Sequence, residues 1–93
     1  MNFKFKNFEI CPAVRLGQSG VETVPNEYAV EYIKDKSKFV IAFIEYDNSE
    51  SCWDFKSVGT RYLEYREAGL EKFILSVINL LNVVNDNTIS EED

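Results

Sequence analysis

The sequence predicts an α+β fold: a three- to four-stranded antiparallel sheet with a C-terminal amphipathic helix packed on one face. Three observations predict it. Apolar residues recur at helical spacing from Leu70 to Val84, aromatic and β-branched residues cluster in short runs between residues 3 and 58, and polar turn residues separate those runs. With 93 residues the chain has room for one domain, placed over residues 1–86. Hydrophobic residues make up 45%, enough to build a folded core in so short a chain.

The first segment is anchored by Phe3, Phe5, Phe8 and Ile10. Phe3-Lys4-Phe5-Lys6 alternates as a strand does, and the phase slip at Asn7 predicts a bulge there. Pro12 cannot donate to a ladder and marks a strand edge or end. Gly17-Gln-Ser-Gly20 reads as a turn or loop, and Val21 to Asn26, with Pro25, as irregular chain. Residues 27–35 fit either a strand or a helix capped by Asn26. The strand is preferred, because Tyr28, Val30 and Tyr32 then share a face and Asp35-Lys-Ser37 makes a hairpin turn. Phe39 to Tyr46 is apolar on both parities, which predicts a central strand covered on both sides. Asp47-Asn-Ser-Glu50 reads as a hairpin, and Cys52 to Val58 as the returning strand.

Thr60 to Glu67 is a connector of undetermined structure. In the final helix Leu70, Phe73, Ile74, Val77, Leu80, Leu81 and Val84 form one stripe, with Glu71 in the first turn where the macrodipole favours it. Residues 87–93 are expected to be a flexible acidic tail.

Net charge is −6, of which Asp86, Glu91, Glu92 and Asp93 supply −4. The remainder is nearly neutral, so it offers neither the cationic stripe that nucleic acid requires nor a dense anionic surface. The sequence shows no secretory signal and no apolar run of transmembrane length, so the expectation is a cytoplasmic protein with Cys11 and Cys52 reduced.

The chain contains no histidine, which removes histidine-based nucleophile pairs and histidine metal sites. Neither cysteine has an identified base, and the two do not make a zinc motif. Asp47 with Glu50, Glu64 with Glu67, and Asp54 are the carboxylates to check for acid–base work, although their settings read as solvated. Arg15 before Gly17-Gln-Ser-Gly20 lacks the rest of any phosphate-binding pattern. Catalytic, cofactor and metal residues are therefore expected to be absent.

A binding patch is the better candidate. Arg61-Tyr-Leu-Glu-Tyr-Arg66 has interface composition, and Trp53 could join it if Gly59 turns the chain back. The expected partner-binding set is Trp53, Arg61, Tyr62, Tyr65 and Arg66. The competing reading puts the tyrosines in the core and pairs the arginines with Glu64 and Glu67.

The run Trp53-Asp-Phe-Lys-Ser-Val-Gly-Thr-Arg-Tyr-Leu-Glu64, followed by Gly69-Leu-Glu-Lys-Phe-Ile74, resembles a pattern in small uncharacterised phage and prophage proteins. The resemblance covers about a third of the chain. It implies a host-takeover or counter-defence accessory role and assigns no catalytic residue. The expected function is thus a non-enzymatic module that binds a protein, either a bacterial host or defence protein or a second protomer. A homo-oligomeric assembly protein is the alternative, and a small enzyme comes third.

Overall fold

The structure is a computed structural model that describes residues 2–92; the side chains of residue 68 and residues 86–92 fall outside that description. It is an α+β fold with five strands rather than three or four. They are β1 (Phe3–Phe5), β2 (Phe8–Gly17), β3 (Gly20–Lys34), β4 (Ser37–Asp47) and β5 (Cys52–Val58). All pair antiparallel in chain order. Two helices follow, α1 (Thr60–Tyr65) and α2 (Leu70–Glu92), joined by a 3-10 turn at Arg66–Ala68. The expected acidic tail over residues 87–93 falls where side chains are outside the described residues.

The additional strand comes from the phase slip at Asn7. It is a two-residue hairpin turn, not a bulge: Phe5 pairs with Phe8 and Phe3 with Ile10. Lys6 takes φ 51, the left-handed conformation such a turn demands. Cross-strand pairing puts all four apolar anchors on one face despite their mixed parity. The Ile33 N–H, donating to the Asn7 carbonyl at 2.7 Å, ties this turn to β3.

Residues 27–34 are strand, and Asp35, at φ 56, makes the turn into β4. The expectation of two apolar faces on β4 does not hold. Val40 pairs with Glu31 and Ala42 with Val30, which leaves Ile41 as an unpaired bulge residue. A bulge resets the alternation. Ile41, Ala42 and Ile44 consequently all bury in one core, while Val40 is half exposed. The Ile41 carbonyl, released from the ladder, accepts from the Gly59 N–H at 2.9 Å and fixes the turn into α1.

The core joins Phe8, Ile10, Val30, Ile41, Ala42 and Ile44 of the sheet to Tyr62 of α1 and to Leu70, Ile74, Val77, Ile78 and Leu81 of α2. Gly69, at φ 94, turns the chain into α2, and the Phe5 ring lies 3.3 Å from where a Cβ would stand. A side chain there meets both backbone strain and a ring.

The sheet edges are guarded. β1 is only three residues long. On β5, Asn82 of α2 accepts from the Trp53 N–H at 2.7 Å and donates to the Trp53 carbonyl at 3.2 Å. One side-chain amide thus stands in for a neighbouring strand. Asp54 accepts from the next outward donor, the Phe55 N–H, at 2.7 Å. Asn82→Ala is expected to cost about 1–2 kcal/mol, because a part-buried N–H and carbonyl lose their partners. Thermal unfolding followed by circular dichroism reads this as a drop of roughly 5–10 °C.

Candidate interaction surface

The largest departure from the sequence expectation is at residues 13–24. Gly17-Gln-Ser-Gly20 is a tight hairpin turn, the first of its two expected forms, but Val21 to Asn26 is strand rather than irregular chain. Val14 pairs with Thr23, Arg15 with Glu22, Leu16 with Val21 and Gly17 with Gly20. Beyond Pro12, which pairs with Tyr28, the register breaks: Val24 to Glu27 intervene on β3 against Ala13 alone on β2, and Asn26 takes φ 58. The β1 pairing reaches no further than Phe3 opposite Ile10 and the β4 pairing begins at Glu27, so this stretch is a two-stranded arm leaving the five-stranded body.

The arm has two unlike faces, as strand alternation requires. Arg15 and Glu22 share one, joined at 2.7 Å in a solvent-exposed ion pair of small energetic weight. Val14, Leu16, Val21 and Thr23 share the other. Leu16 is 85% exposed, Val21 70% and Val14 62%. Isolated two-stranded ribbons are marginal in water, and these residues add an uncovered apolar face to one. A signal was available in the sequence: Val-Arg-Leu and Val-Glu-Thr mirror each other about the Gly-bounded turn.

The residues expected to bind a partner are divided by the fold. Tyr62 is 6% exposed and belongs to the core, its hydroxyl donating to Glu71 at 3.2 Å. Burial, then that carboxylate, raises its pKa. Tyr65 stacks on Tyr32 with centroids 4.5 Å apart and meets Phe8 edge-on. Arg61 is exposed with its guanidinium 4.6 Å from the Phe39 ring centroid, and Arg66 is exposed. Trp53 packs against Tyr28 and Tyr46 at the start of β5. Five residues of strand, about 17 Å, separate it from Val58 and the turn into α1. Arg61, Tyr65 and Arg66 form one corner; Trp53 does not join it.

Of the carboxylates singled out from sequence, Asp47 and Asp54 have structural tasks. Asp47 accepts from the Ser49 hydroxyl at 2.6 Å and from the Ser49 and Glu50 N–H groups, closing the β4–β5 turn. The Ser49 bonds hold its pKa below the ordinary value, so it stays ionised at neutral pH and is a poor proton donor. Glu64 and Glu67 are exposed. Among the described residues no group of three or more Cys, Asp or Glu side chains is arranged to hold a metal ion. A cleft of about 170 Å³ between β4 and β5, lined by Ile41, Phe43 and Val58 among others, is smaller than ordinary ligand pockets.

Sequence reasoning missed one polar cluster. Glu9 lies directly opposite Glu31 across β2 and β3 and is only 6% exposed. Lys38, at 3.7 Å, offsets its charge, and the Asn2 amide donates to it at 3.2 Å. Cys11 donates to Glu31 at 3.3 Å. Burial, then this bond and the nearby carboxylates, push the Cys11 thiol up to about 11. Cys11 and Cys52 are not joined in a disulfide. Native Cys11 is expected to alkylate with iodoacetamide at pH 8 about tenfold or more slowly than in the urea-unfolded chain, because its thiolate fraction falls about 100-fold while thiolate nucleophilicity rises less. Peptide mapping after timed quenching checks this, and the native rate should keep climbing past pH 10.

These features define a class, a small α+β domain with an apolar hairpin arm. No protein family, curated protein or solved structure matches the chain. Among the described residues no helix is long and apolar enough to cross a membrane.

Proposed function

We propose that this chain is a non-enzymatic protein-interaction module that works without a cofactor or a nucleic-acid partner, and that its main contact is the apolar face of the arm. The observation that carries the reading is the exposure of Leu16, Val21 and Val14 on a ribbon outside the body. A side chain as apolar as leucine contributes about 2 kcal/mol when moved from water to an interface, so an arm of this kind gains by being covered. The Arg61–Arg66 corner is a second, smaller contact, supported by two exposed guanidinium groups, of which that of Arg61 lies over the Phe39 ring. If the resemblance to phage proteins reflects origin, the setting is the bacterial cytoplasm and the target is a host or defence protein.

Affinity purification with quantitative mass spectrometry tests this, using the wild-type chain, Leu16→Glu, and Arg61→Ala/Arg66→Ala. Leu16→Glu is expected to lose at least tenfold of the captured protein while its melting temperature stays within about 2 °C, as surface substitutions do. The double arginine variant should lose less. Equal capture by wild type and Leu16→Glu would remove the arm from the function.

A further inference from the structure

We propose that the arm is covered by a second copy of this chain, in a two-fold dimer where Val14, Leu16 and Val21 of each copy lie on Leu75, Leu80 and Val83 of the other. The inference rests on the reading of the arm as a contact surface and names its partner.

The helix is the second half of the argument. α2 buries one stripe in its own core, yet Leu75 and Leu80 are each 45% exposed and Val83 is 54% exposed. A helix apolar on more than one side is normally covered on more than one side. The molecule thus carries two uncovered apolar surfaces, one on a ribbon and one on a helix. A helix laid on the arm repeats, between chains, the layer packing found within the chain.

Area decides against simpler pairings. A fully buried Val or Leu side chain hides on the order of 100 Å², so the arm offers about 200 Å² of exposed apolar surface per copy and the helix stripe about 150 Å². Apolar atoms make up a little over half of an ordinary interface, so two arms meeting each other bury only about 700 Å² in all, the size of a packing contact. Two reciprocal arm-to-helix contacts bury about 1,200 Å², the lower bound for a specific dimer. A two-fold axis supplies both contacts at once and closes the assembly.

Charge permits the approach. The arm carries Arg15 and Glu22 and so is neutral, with that pair on the face away from the contact. Lys72, Ser76 and Asn79, all exposed, lie between Leu75 and Leu80 around this face of the helix, so the contact there is mixed apolar and polar. The acidic excess is concentrated from residue 86 onward. Two chains of charge −6 still repel at long range, so added salt should tighten the dimer, whereas a contact made of ion pairs would weaken.

Sedimentation velocity of the full chain from micromolar to submillimolar concentration tests the proposal. A concentration-dependent monomer–dimer equilibrium is expected. Leu16→Glu and Leu80→Glu, each at an exposed position, should each raise the dissociation constant at least tenfold with unchanged circular dichroism. Mixing a Leu16→Cys chain with a Val83→Cys chain under mild oxidation should give a bond mapped by mass spectrometry between positions 16 and 83. A monomer at every concentration, or cross-linking of Leu16→Cys only to itself, would overturn the proposal. In the monomer case, loss of a captured protein by Leu16→Glu would leave the arm a contact surface for another partner; equal capture would remove that reading too.

Discussion

Ile74→Ala is expected to destabilise the protein by about 3 kcal/mol, while Leu75→Ala, one residue away, should cost under about 0.5 kcal/mol in the monomer. Ile74 is fully buried against the sheet, and Leu75 is 45% exposed. Removing three carbons from Ile74 loses their transfer energy and leaves a cavity that a thin core closes poorly. Domains of this size hold roughly 5–10 kcal/mol in all, so this one substitution removes a large share. The midpoint of thermal unfolding should fall by about 15 °C for Ile74→Ala and by no more than about 3 °C for Leu75→Ala. The comparison is made at dilute protein, where self-association does not add stability. Equal effects would mean that the helix is rotated from the face described above.

Gly69→Val should cost a further class of energy, about 3 kcal/mol or more. At φ 94 the backbone is strained for any residue with a Cβ, by roughly 1–2 kcal/mol, and more for a β-branched one. The Phe5 ring 3.3 Å away then has to move, and it packs at a tilt on Phe73, with centroids 5.4 Å apart. Gly69→Ala should lose about half as much. Urea titrations of both variants check the order. An unchanged midpoint for Gly69→Val would show that the entry into α2 can relax.

These two predictions concern the part of the fold that was readable in advance. The stripe from Leu70 to Val84 marks α2 because a period of 3.6 survives any packing arrangement. The strand choice for residues 27–34 was also legible, since Tyr28, Val30 and Tyr32 alternate. Strand irregularity was not. Lys6-Asn7 lacks the glycine that usually marks a two-residue turn, so the turn looked like a bulge. Ile41 bulges without any compositional mark, so strict alternation divided one core between two imagined faces. The arm was hidden for a related reason: Pro12, Pro25 and two glycines read as breakers, yet they sit where a ribbon leaves a sheet and where it turns. Of the patch foreseen at the connector, Arg61 and Arg66 are on the surface, but a tyrosine that composition places in an interface can equally fill a core, and Tyr62 does.

The clasp of Asn82 on Trp53 has a consequence for the order of synthesis. The body of the sheet is complete once β5 has emerged, but its last edge is shielded by a residue translated 29 positions later. A nascent or truncated chain lacking Asn82 has an open strand that a neighbour on the same messenger could extend. The guard arrives on the element that also finishes the core, so closing the edge and completing the fold are a single event.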